Sequence, residues 1–404
     1  MPSWTHRIML CLSCCLLLAG PGTAAPSPAA GTSAEPPVAA LDPAALPPKT
    51  PTSRTITVTD CKGRDVQLQL PISRYAISTM DVIDYLIPLL GAEAFHKLVG
   101  SGQSGGHGIE KYRDLYTPIV GPYTAHLGQI SEHNAPFDLE MLLTVAPDVL
   151  IVNSAMGAHR YALEIEPQLA RAGIGLLLID IPGTSVTSSI QDTLRLLGQV
   201  FQKEQRAAEV IGFIDAQFAP LLAARLDQRP DRPTVYYEMN RFANTFGPTQ
   251  TSASSGWGAV IAAAGARNIA DTILLKTAAA KSGSSTLDPE YILNQNPQII
   301  VLSGGGGWMT PQQPAQPQSF DIVNRTGWHR LQAVKNGQVY ALAHDLSRSV
   351  FGFYACQKLA TIFFPDLRAT IQPEDSMDEF FRRFMLVDSS VTNWCSRLGA
   401  ESCR

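Results

Sequence analysis

The chain has 404 residues, too many for one ordinary domain core, and its 45% apolar residues are spread throughout, which excludes a wholly disordered protein. A formal net charge of −4 lacks the basic footprint of a nucleic-acid binder, so no nucleic-acid partner is expected. After the first thirty positions no apolar run reaches the roughly 18 residues of a spanning helix, so none is predicted in the mature chain.

His6 and Arg7 precede an apolar stretch from Ile8 to Ala19 and then small residues through Ala25. That order predicts a cleaved secretory signal peptide over 1–25 and an exported protein. Residues 26–53 are rich in Pro and Ala and are expected to form an extended linker. Beyond them we expect an N-terminal lobe over 54–187, a helical segment over 188–228, a C-terminal lobe over 229–386 and a cysteine-containing tail over 387–404. Short apolar runs beginning at Tyr75, Gly175, Thr234 and Gln338 predict buried strands that end in polar or Gly-rich loops. Open α/β sheets hold ligands at such strand ends. Glu204 to Gln228 is almost free of breakers and predicts a single helix of roughly 38 Å, kinked at Pro220, that joins the lobes as a strut.

Three of the seven cysteines lie in the leader. Cys61, Cys356, Cys395 and Cys403 remain, and an oxidising compartment favours their pairing. Four cysteines allow three arrangements; the favoured bond is Cys395–Cys403, because the short tail between them closes locally.

A pattern repeats at a constant offset. Asp138-Leu-Glu140-Met-Leu-Leu-Thr-Val-Ala-Pro147 leads into Val149-Leu-Ile-Val152, and Asp288-Pro-Glu290-Tyr-Ile-Leu-Asn-Gln-Asn-Pro297 leads into Ile299-Ile-Val-Leu302. Each reads as an acidic helix start, a short helix, a Pro stop and a buried strand. Two similar Rossmann-like α/β lobes with mostly parallel sheets, joined by a long rigid helix, are therefore expected.

Three segments resemble the periplasmic binding proteins that serve iron–siderophore and cobalamin ABC importers. Thr57-Val-Thr-Asp-Cys-Lys-Gly63-Arg-Asp-Val66 is similar to that family's opening hairpin. Asp138 to Val152 is similar to its Asn-Leu-Glu…Pro-Asp-Val element. Gly327-Trp-His-Arg-Leu-Gln-Ala-Val-Lys-Asn-Gly337-Gln-Val-Tyr340 is similar to its signature near the last strand. The resemblance spans about residues 54–386. The Gly/Gln/Pro-rich stretch 304–318 and the tail depart from it. It implies a periplasmic location, a monomer without a resident cofactor, a small metal chelate captured between the lobes, and an inner-membrane ABC permease dimer as partner. It also implies that Glu140 and Glu290, one per lobe, pair with arginines of the two permease subunits.

Ligand contacts are expected from cationic and aromatic residues on strand-end loops. These are Tyr237, Arg241 and Trp257 after the first strand of the second lobe, Arg160 after the repeated strand of the first, and Arg348 and His107. Guanidinium forks suit an anionic chelate, and Trp and Tyr faces suit its flat parts. The chelate expected most is a ferric siderophore, with cobalamin or haem as alternatives. No His-x-x-x-His spacing occurs, so no protein metal cage is expected. An alternative class, a secreted serine hydrolase, follows from Gly102-Gln-Ser104-Gly-Gly106 with His344 as base. Only Leu98-Val99 reads as a strand before that motif, however, so it reads instead as a loop at the cleft rim, and no catalytic residue is expected.

Overall fold

A computed structural model describes residues 42–400 and 403, apart from 53, 103–108, 133–134, 155–157, 182–184, 240–248, 251–255, 275–283, 305–306 and 310–319. The alternating residues of β1 (Arg54–Thr59) and β2 (Asp65–Leu70) form an antiparallel hairpin that buries Val66, Leu68 and Leu70. The last part of the expected linker is not a free spacer. Thr50 N donates to Ser73 Oγ at 3.2 Å, and Lys49 pairs at 3.3 Å with Asp148, so residues 42–52 lie on the first lobe.

The first lobe contains β3 (Tyr75–Ile77), β4 (Leu98–Gly102), β5 (Gly128–Ser131), β6 (Val149–Asn153) and β7 (Gly175–Ile179). All pair in parallel, in the order β5-β4-β3-β6-β7. Such strands are covered on both faces, which is why they read as continuous apolar runs. Between them come α1 (Ile83–Leu90), α2 (Glu93–His96), α3 (Ile109–Val120), α4 (Leu139–Val145) and α5 (Ala158–Arg171). Strand β4 runs through Gly102, further than its composition indicates, and its glycines are required by close neighbours rather than by a loop. An added Cβ at Gly102 would overlap the Ser78 carbonyl and the Ser131 hydroxyl.

Residues 188–228 hold two helices, α6 (Ser189–Val200) and α7 (Glu204–Ala223), rather than one strut reaching Gln228. The chain turns between them at Gln202 (φ 56°), and α7 stops before Arg225, which is also left-handed (φ 43°). Gly198 lets the two helices close up: an added Cβ would stand 2.7 Å from that of Ala207. The 20 residues of α7 span about 30 Å. Its buried Val210, Phe213, Ile214 and Phe218 pack between α1 and two helices of the second lobe, α12 (Gly352–Phe363) and α13 (Pro373–Phe384). Arg206 ties both sides, donating to Pro88 O at 2.9 Å and to Arg383 O at 3.0 Å.

In the second lobe the sheet order is β10 (Arg267–Asn268), β8 (Thr234–Met239), β12 (Ile299–Ser303), β14 (Val339–Leu342) and β16 (Cys395–Arg397). All pairs are parallel except β14 with β16. Its other helices include α8 (Trp257–Ala263), α9 (Asp271–Leu274), α10 (Pro289–Gln295) and α11 (Gln332–Lys335), and β9 (Thr249–Gln250) pairs with β11 (Ser284–Ser285). The lobes thus share a mostly parallel α/β plan with different strand orders.

The tail is not an appendage after residue 386. Besides β16, it supplies β15 (Thr392–Asn393), which pairs with β13 (Gly307–Trp308) inside the stretch expected to be a loop. Cys395 and Cys403 form a disulfide, and buried Lys358 donates to Cys403 O at 2.8 Å. Reducing this bond, which closes a span of 8 residues, is expected to lower unfolding free energy by about 2–3 kcal/mol through chain entropy. Denaturant titration with and without reductant checks this; coincident midpoints would show that β14 and α12 hold the tail unaided.

Candidate functional site

The repeated sequence unit is a repeated structure. Asp138 Oδ1 caps α4 by accepting from Met141 N at 2.8 Å, and Asp288 Oδ1 caps α10 by accepting from Glu290 N at 2.7 Å. Each cap is worth about 1 kcal/mol. Both helices end on a left-handed residue with φ 43°, Ala146 or Asn296, and each then feeds a fully buried strand, β6 or β12. Glu140 and Glu290 are exposed on the first turn of these helices.

The sheet order reverses between β3 and β6 in the first lobe and between β8 and β12 in the second. Ligands of open α/β sheets sit beyond the carboxyl ends of strands at such points. Residues beyond those ends meet across the lobes. After β3 comes the turn Met80–Val82, and its Asp81 Oδ2 lies 3.6 Å from Nε of Arg348, which follows β14. Arg348 Nη2 also binds Asp345, on its own loop, at 3.3 Å. Nearby, Tyr112 on α3 donates to buried Asp84 Oδ1 at 2.7 Å. Trp308 of the second lobe reaches across to Tyr112 and Tyr116, with ring centroids at 5.8 and 6.2 Å.

Burial dominates the electrostatics here. It lifts the Asp81 carboxyl to about 6, against the pull of Arg348. It pushes Asp84 well above the usual carboxylate range, although the Tyr112 hydroxyl opposes the shift. Burial acts on Asp345 too, but Arg348, His344 and Lys111 outweigh it and hold that carboxyl below its ordinary value. The geometry shares Arg348 unequally: Asp345 Oδ1 accepts from Nη2 at 3.3 Å, whereas Asp81 Oδ2 stands 3.6 Å from Nε without a hydrogen bond.

On the second lobe, Tyr237 in β8 stacks on Trp257, the first residue of α8, with centroids 6.0 Å apart and planes 22° apart. Its hydroxyl meets Ser303 Oγ at 2.7 Å, and Ser303 Oγ meets His344 Nδ1 at 2.8 Å. Tyr237 also acts electrostatically on Arg348. The fold thus brings Tyr237, Trp257 and Arg348 to one edge of the lobe. They are not free loop residues, however: both aromatics are fully buried, and Arg348 is already paired.

Arg160 does not join them. It lies within α5, exposed, with Nη2 on Tyr161 OH at 2.7 Å and its guanidinium 4.6 Å above that ring. The helix begins at Ala158, soon after β6 ends at Asn153, and so carries Arg160 out of the loop in which the sequence placed it. Arg241, His107 and Ser104 lie outside the described residues. Asp81, Asp84, Tyr112, Ser303, Trp308 and Asp345 are additions to the site. The signal for the first two was legible: Met80-Asp-Val-Ile-Asp84-Tyr-Leu-Ile sets two acids three apart in an apolar run just after a strand. A cavity of about 40 Å³ beside Tyr354, Glu374 and the disulfide is far too small for a chelate. No group of described residues forms a metal cage.

A family model described as periplasmic binding protein matches residues 123–346. Among solved structures, the chain resembles the TroA-like periplasmic binding protein FepB from Veillonella parvula, with 25% identity and a TM-score of 0.70 over 85% of this chain and 99% of that one. It also resembles the molybdate periplasmic binding protein MolA of Haemophilus influenzae, with 18% identity, TM-score 0.59, and 82% and 98% of the two chains covered. An ABC-type Fe3+-hydroxamate transport protein from Saccharomonospora viridis matches at 16% identity and TM-score 0.54, covering 76% and 99%. Among curated protein sequences, none matches.

Proposed function

The chain belongs to the periplasmic binding protein family of ABC transport, and from that premise we propose that it captures a metal chelate, foremost a ferric siderophore, between its lobes and delivers it to an ABC permease dimer. The observation that carries this reading is the convergence, at one edge of the second lobe, of an aromatic pair (Tyr237 in β8 and Trp257 at the start of α8) with Arg348, which faces Asp81 of the first lobe. Aromatic faces suit the flat parts of a chelate and a guanidinium suits its anionic oxygens. A relative that serves Fe3+-hydroxamate transport supports the choice of chelate. Arg241, two residues beyond the end of β8, belongs to the same proposal, as does His107 in the stretch that follows β4.

The test is a fluorescence titration against a panel of ferric catecholates, ferric hydroxamates, cobalamin and haem. Saturable binding of a ferric chelate tighter than of cobalamin or haem supports the proposal. Preference for either of the last two would redirect it within the family. Binding of none would end it. The secreted-hydrolase alternative predicts fluorophosphonate labelling of Ser104, and a labelled Ser104 would count against capture without chemistry.

Closure is expected to be slight. Because α7 packs on α1 and on α12 and α13 together, opening the lobes widely would strip its apolar face. Small-angle scattering with and without bound ferric chelate should nearly superimpose. A large fall in radius of gyration, as hinge closure gives, would show that α7 is not a strut.

A further inference from the structure

The Arg348–Asp81 contact is an ion pair that does not close. Arg348 Nε and Asp81 Oδ2 face each other across the lobes at 3.6 Å, too far for a hydrogen bond, and both atoms are buried without one. Asp345 holds the same guanidinium from its own loop at 3.3 Å. Asp81 is thus the looser of two counter-ions, and it is the one contributed by the opposite lobe. A buried donor left unmade at a strand-end junction is a place where an incoming acceptor gains a full hydrogen bond.

From this geometry, and resting on the chelate-capture reading above, we infer that Asp81 is a displaceable internal counter-ion: it occupies the side of Arg348 that an anionic ligand oxygen takes, and so sets how strongly charge is rewarded in the ligand. When the ligand oxygen arrives, Arg348 keeps Asp345 and exchanges Asp81 for the ligand. Asp81 is then a buried carboxylate without its cation, and it takes a proton from solvent.

Several groups face Asp81. Asp84 and Tyr85 lie on its own segment, Tyr112 on α3, and Arg348 and Asp345 on the second lobe. Lys111 and His344 act on Asp345. Among the described residues Arg348 is the only cation that acts on Asp81 directly, so losing it raises the affinity of Asp81 for a proton. The carboxyl already titrates near 6, so displacement becomes easier as pH falls toward that value.

The experiment compares two probes of similar size, a trianionic ferric tris-catecholate and a neutral ferric trihydroxamate, on the full chain and on Asp81→Asn. In the variant, the ratio of affinities is expected to move about tenfold toward the trianionic probe, the equivalent of one pKa unit of interaction. In the unmodified protein, the same ratio should climb as pH falls from 8 to 6, and Asp81→Asn should flatten that slope. A ratio unmoved by both the substitution and pH would overturn the inference. A third measurement decides it if neither probe binds, a result that would end the capture reading itself. Phenylglyoxal should modify Arg348 several-fold faster in Asp81→Asn than in the unmodified protein, and equal rates would remove Asp81 as its counter-ion.

Discussion

Replacing Arg325 with methionine is expected to destabilise the fold by about 3–5 kcal/mol, the usual cost of leaving one member of a buried ion pair behind. Arg325 meets Glu238 through two parallel bonds of 2.8 Å, with side-chain exposures of 8% and 0%. The carboxylate also accepts from Tyr236 OH at 2.7 Å, and the guanidinium lies 5.0 Å from the Trp328 ring. In the variant, a carboxylate stripped of its guanidinium would remain at the end of β8. Exchanging Glu238 for Gln in the same chain removes that stranded charge while keeping an acceptor for Tyr236. The double variant should therefore recover much of the loss, and a double-mutant cycle by denaturant unfolding measures the coupling. A loss below about 1 kcal/mol in Arg325→Met, the size of an exposed pair, would mean that water reaches the site.

The pair also shows where sequence reading stops. The strands, the repeat and the cysteine bond were legible because each rests on local order: a run of buried residues, a capping acid with Pro after the helix, two cysteines close in sequence. Arg325 and Glu238 stand 87 residues apart, and nothing near either one marks the other. The same holds for Asp81 and Arg348, brought together only when the two sheets present their carboxyl edges to each other. Arg160 was misplaced for the opposite reason, a local one. Strand β6 ends at Asn153 and α5 begins at Ala158, so a helix has begun before the arginine is reached. Trp308 was hidden by its glycine neighbours. Its burial depends on β15, a partner strand that lies in the tail 84 residues later.

Converting both Glu140 and Glu290 to Gln is expected to abolish most transport while leaving chelate affinity intact. The two acids sit at equivalent points of the repeated unit, one on each lobe, exposed at the first turn of α4 and α10. A helix start favours a negative charge by about 0.3–1 kcal/mol, which would account for one such residue without a partner. Yet Asp138 and Asp288 already cap these helices by accepting backbone N–H groups, so the glutamates are not needed to satisfy the helix ends. Their exposure leaves both carboxylates available, and a permease built of two subunits needs two similar contacts. Exposed charges contribute little to affinity but steer approach and fix orientation. The single variants should each lower permease-stimulated ATP hydrolysis partly, and the double variant should lower it sharply, with a weaker dependence on salt than the unmodified protein. The thermal midpoint should change only slightly, since each substitution removes only a weak helix-end interaction. If the double variant transports at the normal rate, the acids serve their helices alone, and docking must rest on another surface of the two lobes.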